Sequence, residues 1–373
     1  MTTPTPRLFG LQRTNRNFST KEAWGKNQFN TSFPASLACY MGLEGVAPVY
    51  LTLDNSLKVQ HNKIDAADLL GLNAASPELC FRFETVYSPY EALVYGKLPR
   101  TDLVTYSQNA NSQTPLRGYE IKLTALPDNS TYDLNDNQYS CEIVVRPDSI
   151  VYLAASIATL YTQHSEILLE TLHPVCALIH DWSEPEQVSP HYDKMQFALD
   201  TLLLMQLEAG NQSPFLIQSV WKTVGKTPIL HENCLDMFVW SNFAFTRLFT
   251  TVGSVQPSIN RSARSLIWLT KMLYDFAVYG KFDPKQIIDS LTYNTKNDKA
   301  FALSGRQTLQ FLSCPELTRP RIPKEALRAI ILGDGQNFLS PERRFDAAIV
   351  STPGLFNYST SPQLEEEAIH ESH

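Results

Sequence analysis

The chain has 373 residues, 43% of them hydrophobic and 18% charged, with a formal net charge of −7, which is the composition of a folded globular protein with room for a sizeable core. No uninterrupted apolar stretch is long enough to cross a bilayer and no basic-plus-apolar leader is visible, so a cytoplasmic protein is expected. The six cysteines are scattered without a Cys-x-x-Cys pair, which argues for reduced, mostly buried thiols and against a zinc site.

Charge is distributed unevenly along the chain. Residues 1–30 carry five basic side chains against Glu22, and residues 211–346 carry seventeen basic against eleven acidic. Residues 151–210 set Lys194 alone against eight acids. An acidic body with two separated basic segments suits a polyanion groove, although chance clustering on solvated faces explains the same pattern.

Residues 1–35 read as a loop-rich arm, punctuated by Gly10, Asn15, Asn17, Asn27, Asn30 and Pro34. An apolar stretch begins at Pro34, and Val46–Leu53 has the look of a strand. Further strands are expected at Leu79–Val86, Thr101–Tyr106, Gly118–Thr124 and Cys141–Val145, and a short helix over Tyr90–Tyr95. From about Ile150 the apolar spacing changes to three and four. Helices are expected over Val151–His173, Asp193–Ala209, Asn233–Phe249, Ala263–Tyr279 and Pro284–Leu291. With no clean linker in sight, residues 36–346 read as one α/β domain, β-rich over 36–150 and helical over 151–346. Residues 347–373 form an acidic tail.

The chemistry concentrates in Gly118–Thr124. Strand side chains alternate between faces, so Glu120 and Lys122 point one way while Tyr119, Ile121 and Leu123 point the other. A carboxylate and an ammonium on an otherwise apolar strand are costly to desolvate without a role. Asp102 lies eighteen residues upstream on the preceding strand. Together these residues carry what phosphodiester hydrolysis needs: hard oxygen ligands for Mg2+, and a cation to position water and stabilise negative charge. A bare Glu-x-Lys also arises by chance, so the apolar context and the upstream acid are what single it out. Glu91 or Glu84 is a candidate for one more metal-binding acid, with Glu91 slightly favoured. Asp128 fits a turn better, and Glu142 lacks the accompanying lysine.

Rival motifs fail. Thr223–Thr227 ends like a phosphate-binding loop but has Val220 where that loop needs glycine, and no Gly-x-Ser-x-Gly is present. His173, His180, His191 and His231 are isolated. For DNA contact the side chains of interest are Arg13, Arg16, Lys21, Lys26, Asn27 and Gln28 in the arm, with Arg261, Arg264, Arg319 and Arg321 later. All of these types grip phosphate or read base edges.

Two blocks, Leu8-Phe9-Gly10 with Trp24–Pro34 and Glu120–Asp128, resemble the HindVP/HgiDI family of type II restriction endonucleases. The resemblance spans most of the chain. It implies a restriction-endonuclease-like core, a central mixed sheet flanked by helices, with a large helical C-terminal part. It also implies a Mg2+-dependent homodimer that cuts both strands of double-stranded DNA within a short palindrome, for which the family suggests GRCGYC. A cognate DNA methyltransferase is expected in the same system. The catalytic pattern resembles PD-(D/E)xK, which falls here on Asp102, Glu120 and Lys122, with Thr101 where the pattern has proline. Two other readings stay open: a repair or junction-resolving nuclease built on the same site, and a DNA-binding module without catalysis.

Overall fold

The computed structural model describes residues 8–16, 26–126, 142–224 and 229–332. In chain order, the first half comprises α1 (Lys26–Leu43), β1 (Val49–Leu53), β2 (Val59–Lys63), α2 (Ala66–Leu70), β3 (Leu79–Thr85), a 3-10 turn at Ser88–Leu93, β4 (Thr101–Gln108), β5 (Gln113–Leu126) and β6 (Ile143–Val145). It continues through α3 (Pro147–Thr159), α4 (Ser165–Cys176), α5 (Pro185–Val188) and α6 (Tyr192–Glu208) to β7 (Pro214–Val224) and β8 (Ile229–Ser241). The remainder is α7 (Asn242–Thr250), α8 (Arg261–Tyr279), α9 (Pro284–Ser290), β9 (Phe301–Leu303), α10 (Gly305–Leu312), α11 (Pro315–Thr318), β10 (Ile322–Pro323) and α12 (Lys324–Leu332).

The main sheet runs β2-β1-β8-β7-β5-β4-β3, with β10 added alongside β8. It is mixed: β1 pairs β8 and β5 pairs β7 in parallel, and the other neighbours are antiparallel. Period-two alternation sends each strand's side chains into one of two cores. Leu216, Val220, Phe238 and Trp240 join the core built with α3, α4, α6, α7 and α8. Ile217, Trp221, Met237 and Val239 face the opposite way, onto α1, α2 and α12. Helices therefore cover both faces, as expected for an α/β fold with a central mixed sheet.

Three expectations need correction. The helix expected over Asn233–Phe249 is strand β8 as far as Ser241, whose hydroxyl then caps α7 by accepting from the Ala244 N–H. Residues 234–241 are buried on both sides of the sheet, so no alternation distinguishes them from a buried helix. Strand β7 is absent from the elements expected above, and with β8 it carries the centre of the sheet within the part read as helical. The arm also ends sooner than expected, because α1 starts at Lys26 and runs through Pro34. From Thr31 to Met41 nearly every side chain of α1 is buried, so the helix has no polar face to announce its period.

Other elements follow the sequence closely: β1, β3, β4, β5, β6, α6, α8 and α9 each fall within a few residues of expectation. The helical stretch Val151–His173 is split into α3 and α4, and the short helix near Tyr90 is the 3-10 turn Ser88–Leu93. Cys39, Cys80, Cys176, Cys234 and Cys314 are free and buried, while Cys141 lies outside the described residues. Among the described residues no helix is long and apolar enough to cross a membrane.

Candidate active site on strands 4 and 5

Strand β5 lies between β4, antiparallel, and β7, parallel, so Glu120 and Lys122 sit in the interior of the sheet. Tyr119 and Ile121 enter the α1-side core. Glu120 and Lys122 take the other face, where Lys122 Nζ donates to Glu120 Oε1 at 2.6 Å. The same-face arrangement expected from the sequence is thus present. Glu120 is only 9% exposed. Burial opposes the Lys122 charge, but Glu120 and then Asp102 outweigh it and hold the ammonium above its ordinary pKa.

Asp102 is brought to Glu120 by the β4–β5 register, in which Leu103 faces Tyr119. Its Oδ2 accepts from the Ile121 backbone N–H at 2.8 Å, which fixes the carboxyl against β5. Thr101, standing where the family pattern has proline, donates its hydroxyl to the Tyr119 carbonyl at 2.7 Å and ties the start of β4 to the same strand. Burial, followed by repulsion from Glu120, pushes the Asp102 carboxyl up to about 7, against the opposing pull of Lys122. Two carboxylates thus stand against a single lysine.

The N-terminus of α3 closes on the same place. Pro147 opens that helix and Asp148 lies in its first turn. Burial and then Glu120 raise the Asp148 carboxyl, while Arg146 lowers it. Arg146 also opposes the charge on Lys122. The helix is anchored there by Tyr152, whose hydroxyl donates to the Pro99 carbonyl at 2.8 Å, just ahead of β4. Sequence reasoning misses Asp148: a Pro-Asp pair signals a helix start but not the strand that start will face.

The two acids proposed from sequence separate. Glu84, across from Asp102 on β3, adds to the repulsion that raises the Asp102 carboxyl. Its backbone is left-handed, φ 51°, and its Oε1 accepts from Arg16 Nη2 at 3.1 Å. Glu91 is exposed on the 3-10 turn, where Tyr106 feels its charge; it is not among the groups that shift Asp102. Glu84 is thus the nearer of the two. Asp128 lies outside the described residues, and Glu142 is exposed.

The residues singled out for DNA contact are dispersed. Arg13 and Arg16 belong to a segment laced onto the edge of β3: Thr14 bridges Phe81, and the Asn15 side chain brackets Phe83 by donating to its carbonyl at 3.0 Å and accepting from its N–H at 2.9 Å. Arg16 lies 4.5 Å over the Phe83 ring and donates to Ser32 Oγ at 2.8 Å. Burial lowers its pKa to about 10, with Glu84 and Asp102 opposing. Lys21 falls outside the described residues, and Lys26, Asn27 and Gln28 open α1. Arg261 begins α8, 3.5 Å from Asp298. Arg264 corrects its expectation as a DNA contact: it is fully buried over Trp268, donating to the Lys299 carbonyl at 2.7 Å and Asn297 Oδ1 at 3.0 Å, so its guanidinium pins the loop after α9. Arg319 is exposed, and Arg321 is paired with buried Asp236.

Among the described residues no group of three or more His, Cys, Asp or Glu side chains stands close enough to hold a metal ion by itself. Asp102 and Glu120 nonetheless offer hard oxygen donors, and their residual negative charge fits a divalent cation that keeps most of its ligands as water and phosphate oxygen.

Residues 24–356 match the HindVP restriction endonuclease family. The chain is 48% identical over 354 residues to "Type II restriction enzyme HgiDI" of Herpetosiphon aurantiacus, covering 94% of this chain and 97% of that protein. It is 44% identical over 355 residues to "Probable type II restriction enzyme HindVP" of Haemophilus influenzae, covering 94% and 95%. No solved structure matches it.

Proposed function

The chain belongs to the HindVP restriction endonuclease family and is a site-specific deoxyribonuclease, and from that premise we propose that it cleaves double-stranded DNA at the Asp102–Glu120–Lys122 cluster with Mg2+ as cofactor. One observation carries the assignment. The cluster gathers two carboxylates and a lysine on one face of the sheet, with Lys122 Nζ on Glu120 Oε1 at 2.6 Å and Asp102 held against the same strand by the Ile121 N–H at 2.8 Å.

Asp102 and Glu120 would hold the cation, with Glu84 or Asp148 at its margin. Bound there, a divalent cation supplies positive charge to the phosphate as the transition state forms and makes a water more acidic. The Lys122 ammonium, kept protonated by its two acidic neighbours, hydrogen-bonds the attacking water and stabilises charge on the phosphate oxygens. The Ile121 N–H holds Asp102 in place through this step. Water oxygen bonds to phosphorus as the bond to the 3′ oxygen breaks; the water gives up a proton to solvent and the 3′ oxygen takes one from solvent, leaving a 5′-phosphate and a 3′-hydroxyl.

The target we infer is a short palindrome, GRCGYC, read by a homodimer whose two-fold axis matches that of the DNA. A methyltransferase modifying the same sequence belongs to the same system. The chain from α1 to residue 346 acts as the nuclease and recognition domain, and the segment ahead of Lys26 contributes DNA contacts. Sequencing the ends of plasmid fragments produced with Mg2+ tests this reading. Discrete ends within GRCGYC, each bearing a 5′-phosphate, are expected; nicks at mismatches or branches would instead place the chain in repair or junction resolution.

A further inference from the structure

Beside the acidic cluster lies a cleft of about 380 Å3 at the outer edge of β3, bounded by Arg13, Asn15, Cys80, Arg82 and Gln108. It lies on a definite side of the sheet. In the β3–β4 register Arg82 faces Val104 and Cys80 faces Tyr106. Positions 102, 104 and 106 share one face of β4, so Arg82 and Cys80 stand on the face that carries Asp102. Arg82 is one alternation from Glu84, across from Asp102, and so about 7 Å along the strand from that position.

The cleft is basic. The Arg82 guanidinium lies 5.0 Å over the Tyr106 ring, and Arg82 and Arg13 both act on the buried Cys80 thiol. Arg13 is held by two carbonyls, donating to Pro77 and Gln108 at 2.8 Å each. Neither arginine is ion-paired with a carboxylate among the described residues, unlike Arg16 with Glu84 or Arg321 with Asp236. Asn15 and Gln108 add amide groups at the rim. Two guanidiniums steered by an aromatic ring and by backbone carbonyls, with no carboxylate in ion-pair contact among the described residues, form a fork for phosphate oxygens.

We propose that this cleft binds the sugar–phosphate backbone of the cleaved DNA strand beside the scissile phosphate, with Arg82 as the principal phosphate contact and Arg13 as the second. Arg82 is a positioning residue: it sets the register of the strand over Asp102 and Glu120. The inference rests on the placement of the active site at that cluster. It assigns to the edge of β3 a role that neither the catalytic pattern nor the arm's basic composition required.

The test uses the full chain with Arg82→Gln, Arg82→Lys and Arg13→Gln. Binding is measured without divalent metal to a duplex containing GRCGYC and to one lacking it, across a range of salt. For Arg82→Gln we expect about a tenfold loss of affinity for both duplexes alike, since a phosphate contact carries no sequence information. The slope of log affinity against log salt should fall by about one. With Mg2+, kcat/KM should fall more than kcat, and Arg82→Lys should keep the salt slope. Unchanged affinity and slope in Arg82→Gln would overturn the proposal, as would a loss confined to the duplex containing the site. If Arg82→Gln lacks a cooperative unfolding transition, Arg13→Gln, altered at an exposed side chain, decides by the same readouts. Failure of the active-site assignment shows separately, as normal cleavage by Lys122→Ala whatever the slope at Arg82.

Discussion

Two buried charge clusters sit on the same sheet and are built differently. Asp236 on β8 is fully buried, yet Arg321 meets it with two parallel donors at 2.8 Å, and the Met237 N–H adds a third at 2.8 Å. Its acid and base are matched one to one, and the pair fastens the start of β10 to β8, with α12 following directly. On β4 and β5, Asp102 and Glu120 share Lys122, while Glu84 and Asp148 add negative charge from the margins. Burial raises the acid in both clusters. Only in the second does a like charge raise it further. A closed pair holds the fold together; an open cluster has charge left over for a ligand.

Removing one group from each cluster sharpens the contrast. Lys122→Ala should lower plasmid cleavage per folded molecule by about a thousandfold, since it deletes a donor to the transition state, over and above any stability lost when Glu120 and Asp102 are left without their counter-charge. Cleavage at the parental rate would move the chemistry elsewhere. Asp236→Ala should do the reverse: a loss of about 3 kcal/mol in urea unfolding, because Arg321 is left without its buried partner, with cleavage per folded molecule preserved. If stability held and activity collapsed, the two clusters would have been assigned the wrong way round.

The next largest effect is the response to pH and Mg2+. Asp102 has a carboxyl raised to about 7 in the folded chain, far above its ordinary value. The native state therefore binds the extra proton between the unfolded carboxylate range and about pH 7, and metal-free stability from this group falls as pH rises through that window. A cation at the site replaces the proton, so Mg2+ should raise the melting temperature more at pH 8 than at pH 5.5. Equal stabilisation at both pH values would argue against Asp102 as a ligand. The closed cluster gives no such dependence on Mg2+.

Where the sequence is legible, it is so through periodicity and charge together. Strand β5 alternates apolar and charged residues, and that alternation alone puts Glu120 and Lys122 on one face. Strand β8 over residues 234–241 and helix α1 over residues 31–41 are illegible for a shared reason: both stretches are buried nearly all round, and burial on every side erases the polar face from which a period is read. Arg264 misleads because an arginine beside a helix start looks the same whether it turns to solvent or folds inward onto Trp268. The Asp148 contact depends on how α3 packs across β4 and β5, a distance along the chain that no local pattern encodes.

The smallest effects discriminate among the marginal acids, and here structure and sequence disagree most. The sequence slightly favours Glu91, but its charge reaches Tyr106 and is not among the influences on Asp102, so Glu91→Gln should cleave like the parent. Glu84 influences Asp102 but is also engaged by Arg16, so Glu84→Gln should cost only a few-fold. Asp148 faces Glu120 from the start of α3, and Asp148→Asn should lower kcat about tenfold, equivalent to about 1.4 kcal/mol of transition-state stabilisation. Single-turnover cleavage at saturating Mg2+ orders the three variants. A result in which Glu91→Gln is the most impaired would restore the slight preference for Glu91 and remove α3 from the site. The expected ranking, Asp148 before Glu84 before Glu91, would instead make the open cluster a joint product of three strands and one helix start.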